Sequence, residues 1–168
     1  GGDAQRGGVG QALPSRLVVK VVDASGAGVQ GVPVTWSVVS GGGSVSLSSF
    51  KTDLHGLAST TWTLGPVAGP NSATASVAGV AAITPLSFTA SAQPGPAAKL
   101  AFTVQPSAVT AGAAIAPAVQ VTVQDAQGNT VTSATTSITV SVTSGTGTSG
   151  AVLGGTATVA AVAGVATF

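Results

Sequence analysis

The chain has 168 residues and a formal net charge of +1, and only 5% of its residues are charged. Such a weak charge provides no field that would hold a polyanion, so nucleic acid is not an expected partner. The absence of cysteine excludes disulfides and thiolate metal sites. There is also no Glu, Met or Tyr, whereas Val, Thr, Ser, Ala and Gly dominate, and this composition predicts an all-β fold.

One sequence pattern occurs twice in the chain. Apolar residues at alternate positions lead into an Asp-x-x-Gly turn at Asp23–Gly26, and the same pattern returns 102 positions later at Asp125–Gly128. Strict alternation that ends in such a turn is typical of a β-strand. The repeat predicts two tandem β-sandwich modules, at residues 1–92 and 99–168, joined by a Pro/Gly linker at 93–98.

The candidate core residues follow from the same alternation. Two strands of the first module each place a tryptophan among residues that share one face, and we expect the two rings to meet between the sheets. In both modules, the valines before the repeated turn form the face of another core strand. The predicted core residues are Val19, Val21, Trp36, Trp62, Val121 and Val123.

The two copies differ at their ends. Leu100 and Phe102 begin a strand that has no counterpart in the first module, and Phe168 lies inside the strand that corresponds to the one with Trp62. The second module is therefore expected to lack its last strands within this chain. Unpaired sheet edges favour pairing with other strands. We expect neighbours to complete the sheets, either as further modules of a longer array or as identical subunits that exchange strands.

Three segments carry a resemblance to a known family. Leu17–Trp36, Thr52–Ala58 and Asn71–Val77 resemble the bacterial immunoglobulin-like domain of the invasin and intimin type, and residues 97–168 resemble related modules more loosely, best at Val123–Gly128. The resemblance implies that both modules are Ig-like β-sandwiches, and it implies a secreted or surface location and a role as a spacer, stalk or adhesin segment. It supplies no catalytic residue, because spacer modules of that family have none.

Few residues could carry chemistry. His55 is the only histidine, so a catalytic set would need Asp53 as its partner, and no enzyme activity is expected. Asp23, Asp53 and Asp125 are candidate calcium ligands, although an Asp in a turn usually accepts bonds from nearby amides. No other cofactor is expected. The predicted turn residues are Asp23, Gly26, Asp53, Gly56, Asp125 and Gly128.

These observations favour a non-enzymatic structural repeat of a bacterial extracellular protein, in an adhesin stalk or a surface filament. The alternative is a module of a surface, phage or secreted protein that binds a carbohydrate or a host ligand. Phe50 is the one aromatic residue expected in a loop, which argues against stacking on sugars. No segment reads as a membrane span or a signal peptide, so we expect the export signal to lie outside this chain.

Overall fold

A computed structural model describes residues 1–79, 83–146 and 148–168. Throughout this described part the chain is built from strands and turns, so the predicted all-β fold is confirmed. The chain divides into two compact units, unit 1 at Gly1–Pro94 and unit 2 at Gly95–Phe168. Gln93 ends the last strand of unit 1, and within unit 2 the Ala98 amide donates to the Gln124 carbonyl at 2.8 Å.

Unit 1 contains nine strands within its described residues. They are β1 (Gln5–Gly8), β2 (Leu17–Lys20), β3 (Pro33–Ser40), β4 (Gly43–Val45), β5 (Ser49–Lys51), β6 (Leu57–Thr60), β7 (Trp62–Leu64), β8 (Gly69–Val77) and β9 (Leu86–Gln93). None of the described segments forms a helix that is long and apolar enough to cross a membrane.

The strands of unit 1 form two layers. One layer is a five-stranded sheet in the order β1-β9-β8-β3-β5, in which β1 runs parallel to β9 and the other neighbours are antiparallel. The other layer contains the antiparallel pairs β2–β6 and β4–β7. The alternating residues from Ala58 to Leu64 belong to two strands, because the structure interrupts them at Thr61, between β6 and β7. The last strand, β9, begins at Leu86, directly after Pro85, which has no amide to donate within a sheet.

The core of unit 1 lies between these layers because each strand turns alternate side chains inward. Trp36 on β3 is 2% exposed and Trp62 on β7 is fully buried, and both belong to one apolar cluster. The Trp36 ring lies 5.7 Å from the ring of Phe88, measured between centroids, in a tilted arrangement. Val19 is also buried in this cluster, whereas Val21 is partly buried at its margin.

Unit 2 is the smaller body. Its strands are β10 (Lys99–Val104), β11 (Gln120–Gln124), β12 (Ser137–Thr139), β13 (Thr158–Ala160) and β14 (Val165–Thr167). Strands β10, β11 and β14 form one antiparallel sheet, and β12 and β13 form a second. Val121 and Val123 of β11 are buried in the core with Ile138 of β12. Among the described residues of this unit, β13 is the single strand that pairs with β12.

The repeated sequence pattern folds into repeated hydrogen bonds. The Val21 amide donates to the Gly56 carbonyl, and the amide of Val123, its counterpart 102 positions later, donates to Gly164, each at 2.8 Å. After each strand, the Asp amide donates to the carbonyl four residues later, at 2.9 Å in both units. Strand β2 of unit 1 and strand β11 of unit 2 are therefore equivalent elements.

Candidate functional site

The three Asp-x-x-Gly turns share one geometry. In each turn the Gly amide donates to the Asp carbonyl, and Gly26, Gly56 and Gly128 all have a positive φ, between 76° and 92°. Glycine suits these positions because other residues rarely adopt this conformation. In each turn the carboxylate then accepts the amide four residues after the Asp, at distances from 2.8 to 3.0 Å.

Asp23 and Asp53 both use a single carboxylate oxygen in these bonds. Oδ1 of Asp23 accepts the hydroxyl of Ser25 at 2.7 Å and the amide of Ala27 at 3.0 Å. These two hydrogen bonds hold the pKa of Asp23 below its usual value. Oδ1 of Asp53 accepts the Leu57 amide at 2.9 Å, which is the main reason that the pKa of Asp53 is also lowered.

Asp125 differs because it is fully buried and uses both carboxylate oxygens. Oδ1 accepts the Asn129 amide at 2.8 Å, while Oδ2 accepts the Asn129 side chain and the Gly95 amide, each at 2.9 Å. Desolvation acts to raise the pKa of Asp125, but these hydrogen bonds outweigh it and hold the pKa below its usual value. The Gly95 bond thus ties the segment ahead of β10 to the turn after β11.

The candidate calcium ligands are already engaged with the backbone. Asp23, Asp53 and Asp125 lie in three separate turns, where their carboxylates accept amide donors. Among residues 1–79, 83–146 and 148–168, no group of three or more His, Cys, Asp or Glu side chains is placed to hold a metal ion. Calcium usually takes six or more oxygen ligands, so a single turn carboxylate supplies a small part of such a site.

The start of unit 1 is tied to its last strand. Strand β1 pairs in parallel with β9 over four residues, from Gln5 opposite Ala90 to Gly8 opposite Gln93. Just ahead of β1, Oδ1 of Asp3 accepts the amide of Thr89 at 2.7 Å and its hydroxyl at 3.0 Å. The Thr89 amide is the main reason that the pKa of Asp3 is lowered. The first and last strands of the unit are therefore joined directly.

Two further contacts hold the segment around β1. The side chain of Gln5 donates to the carbonyls of Gly2 and Ser15 and accepts the Ser15 amide at 2.9 Å. Gly7 packs closely against unit 1, since a Cβ at this position would lie 3.1 Å from Leu13 and 3.2 Å from Leu64. These contacts hold β1 in place at the edge of the five-stranded sheet, beside β9.

The sequence reasoning missed this terminal pairing. Residues 5–8 read Gln-Arg-Gly-Gly, so they show no apolar alternation that would predict a strand. The Asp3–Thr89 contact left a weak signal at most, because the two residues lie 86 positions apart in the sequence. The pairing depends on backbone bonds between distant segments, which no local pattern reveals.

Exposed apolar side chains lie on strands as well as in loops. Phe50, which was expected in a loop, is on the edge strand β5 and is 48% exposed. Phe102 on β10 is 51% exposed, and Leu100 on the same strand is 57% exposed. The aromatic surface of the described residues is therefore carried by edge strands, where it flanks backbone groups that can pair with another strand.

Similarity to known proteins is found among solved structures. No model of a known protein family matches the chain, and no curated protein matches it. Among solved structures, the D0-D1 domain of intimin is 19% identical, with a TM-score of 0.45, over 98% of this chain and 79% of that chain. Domains 4–9 of the surface layer protein SbsC are 20% identical, with a TM-score of 0.41, over 82% of this chain and 22% of that chain.

Proposed function

We propose that this chain is a non-enzymatic, load-bearing repeat of a bacterial extracellular or cell-surface protein, within a stalk or filament. Its partners are neighbouring Ig-like modules or identical subunits, and strand addition between neighbours joins them. The proposal requires that a unit resists tension along the chain. The parallel pairing of β1 with β9 is the observation that supports it.

The mechanical argument follows from the direction of these strands. The chain enters unit 1 ahead of β1 and leaves it after β9. Because the strands are parallel, tension pulls the start of β1 and the end of β9 in opposite directions along their common axis. All of the hydrogen bonds between β1 and β9 then carry the load together. If the first and last strands were antiparallel, the same tension would break their hydrogen bonds one at a time. The hydrogen bonds between Asp3 and Thr89 strengthen the same connection between the first and last strands.

The placement of the charged groups supports a structural role over catalysis. All four acidic residues of the chain are Asp, and each accepts backbone amide hydrogen bonds in the structure. A general acid or base needs a proton that can be exchanged with a substrate, with a pKa near the working pH. Hydrogen bonds hold the pKa of each of these carboxyls below its usual value, which is the opposite direction.

Single-molecule stretching of the full chain tests the load-bearing role. Because the chain has no cysteine, attachment points can be introduced one pair at a time. Cysteines at Gly1 and Pro94 load β1 against β9 in shear, whereas cysteines at Gln11 and Pro94 pull on the neighbouring ends of both strands and peel them apart. We expect a clearly higher unfolding force in shear. Equal forces in the two geometries would contradict the proposal.

The assembly of neighbours is tested separately by solution scattering and electron microscopy over a range of concentrations. Ordered filaments in which a strand crosses between subunits support strand addition. Elongated monomers at every concentration contradict strand exchange between identical chains. They leave the stretching result unaffected, because that experiment measures one molecule.

A further inference from the structure

The segment that leads into β10 is fastened to unit 2 at few points. Residues 94–96 read Pro-Gly-Pro, so Gly95 carries the one backbone N–H among them. That amide donates to Oδ2 of Asp125 at 2.9 Å. In the described part of the chain, the next hydrogen bond along the segment is that of the Ala98 amide to β11, at 2.8 Å. Residues 95–97, between these two bonds, are called the strap below.

The strap packs against the turn that follows β11. A Cβ at Gly95 would lie 3.6 Å from both Cβ and Oδ2 of Asp125, which is ordinary van der Waals contact. Gly95 is half-buried in this position, whereas Pro96 and Ala97 are exposed. One hydrogen bond therefore fastens a strap whose other two residues face solvent.

The carboxylate under the strap is removed from water. Asp125 is fully buried, and its oxygens accept hydrogen bonds from the Asn129 amide, the Asn129 side chain and the Gly95 amide. Burial of a carboxylate costs hydration, while hydrogen bonds to a charged acceptor are stronger than those between neutral groups. Opening the strap would break one such bond and return water to Oδ2. Because this loss and this gain oppose each other, the closed and open forms differ by a small net free energy.

The side chain of Asn129 determines where Oδ2 lies. It donates to Oδ2 of Asp125 at 2.9 Å, the same oxygen that accepts the Gly95 amide. Shifted by 102 positions, Asn129 corresponds to Ala27, which has no side-chain donor. In that turn Asp23 accepts its hydrogen bonds from described residues on Oδ1. Asn129 thus holds Oδ2 in the position where the Gly95 amide meets it.

We infer that the strap is a small conformational switch of unit 2, which opens between Gly95 and Asp125 while β10 stays paired with β11. In the open form the Asp125 carboxylate is hydrated, and the chain turns about Ala98. Opening frees three residues, which span at most about 10 Å. The inference goes beyond the proposed function. In the load-bearing role, tension on the chain ahead of Gly95 would favour the open form, because opening lengthens the chain before any strand separates.

Native-state hydrogen exchange of the full chain tests the inference without tension. The Gly95 amide reports on the strap, and the Val123 amide, which donates to the Gly164 carbonyl, reports on the sheet that contains β10, β11 and β14. Relative to its intrinsic rate, Gly95 should exchange roughly tenfold or more faster than Val123, because a local opening requires less free energy than opening of the sheet. Low concentrations of denaturant should speed Val123 more than Gly95, since the local opening exposes less surface.

Two variants of the turn address the fastening of the strap. Asp125→Asn replaces a charge-assisted bond with a neutral one, and Asn129→Ala removes the side chain that positions Oδ2. Each should speed exchange of Gly95 by about fivefold or more relative to that of Val123. The matched control is Asp23→Asn, which makes the same change in the equivalent turn of unit 1 and should leave both exchange rates unchanged.

Equal protection of Gly95 and Val123 in the parent chain, with the same response to denaturant, would overturn the inference, because the strap would then open only with the sheet. Exchange of Gly95 at its intrinsic rate would also overturn it, since no closed form would exist. Variants that speed both amides by one common factor would do the same. The parent chain decides even where a variant fails to fold. The stretching experiment pulls unit 1 through Gly1 and Pro94, so a negative result here leaves the load-bearing role standing.

Discussion

The carboxylate of Asp3 accepts two hydrogen bonds from Thr89, a residue 86 positions later in the chain. One bond comes from the amide at 2.7 Å and the other from the hydroxyl at 3.0 Å. This contact extends the parallel pairing of β1 and β9 toward the start of the chain. The Asp3 carboxylate therefore contributes to the pairing between the first and last strands of unit 1, which bears the tension in the proposed function.

Asp3→Ala is expected to weaken this joint. The substitution removes the oxygen that accepts both bonds from Thr89. The loss of such bonds raises the unfolding rate under load by about two- to fivefold, since solvent replaces part of the interaction. Stretching through Gly1 and Pro94 measures the change. Asp3→Asn is the matched control because it keeps one carbonyl oxygen, and its force should lie between those of Asp3→Ala and the parent chain. An unchanged force in Asp3→Ala would show that β1 and β9 bear the load without Asp3.

Stability is expected to fall only in strong acid. All four Asp have a pKa below their usual value of 3.8, so each stabilises the fold at a pH above that value. This contribution is lost as the pH falls through the lowered values of the folded state. Tm measured from pH 8 to pH 2 should therefore change little until the pH drops below about 4. A steep loss between pH 7 and pH 5 would contradict this prediction.

Two glycines in equivalent turns are expected to differ in their response to alanine. Gly26 and Gly56 both have a positive φ, but a Cβ at Gly26 would meet open space. At Gly56 it would clash with the Val21 carbonyl and lie 2.8 Å from the Cα of Gly28. Gly26→Ala should cost about 1 kcal/mol from the backbone conformation alone. Gly56→Ala should cost about 3 kcal/mol, because crowding adds to that strain.

Chemical denaturation followed by tryptophan fluorescence measures both variants, since Trp36 and Trp62 lie in the same unit as the two glycines. Equal losses in Gly26→Ala and Gly56→Ala would show that the turn conformation, rather than crowding, determines the cost.

Calcium is expected to leave the stability unchanged. The turn carboxylates already accept amide donors, and a site of six or more oxygens would require them to give up those bonds. A calcium ion present at a hundred times its dissociation constant would stabilise the fold by about 2.7 kcal/mol, which a melting experiment detects easily. Melting curves in millimolar calcium and in chelator should coincide. A higher Tm in calcium, abolished by Asp125→Asn, would identify Asp125 as a ligand.

Local patterns were enough to predict much of the fold. The alternation around Trp36 and the Asp-x-x-Gly turns each involve neighbouring residues, so the sequence shows them directly. Val21 is a partial exception. It shares a face with Val19 but is less buried, because it lines an open groove together with Val77 and Leu86. A strand's own pattern shows which face is apolar, whereas the elements that cover that face belong to other parts of the chain.

The candidate site was harder to predict for the same reason. Strand β1 contains Gly7 and Gly8 with polar neighbours, and its pairing partner begins 85 positions later, at Ala90. The exposure of Phe102 was also missed, since its alternation with Leu100 resembles that of a buried strand. The exposed fraction of Phe102 depends on how much of its face the second sheet of unit 2 covers. Among the described residues this second sheet has two strands, β12 and β13.

The repeated turn leaves one position free in every copy. The residue after each Asp is Ala24, Leu54 or Ala126, and all three side chains are exposed. The turn bonds use the backbone and the Asp carboxylate, so the identity of this side chain does not affect them. These positions can therefore diversify at little cost in stability, and a single substituted side chain that carries a label can be placed there with the turn bonds intact.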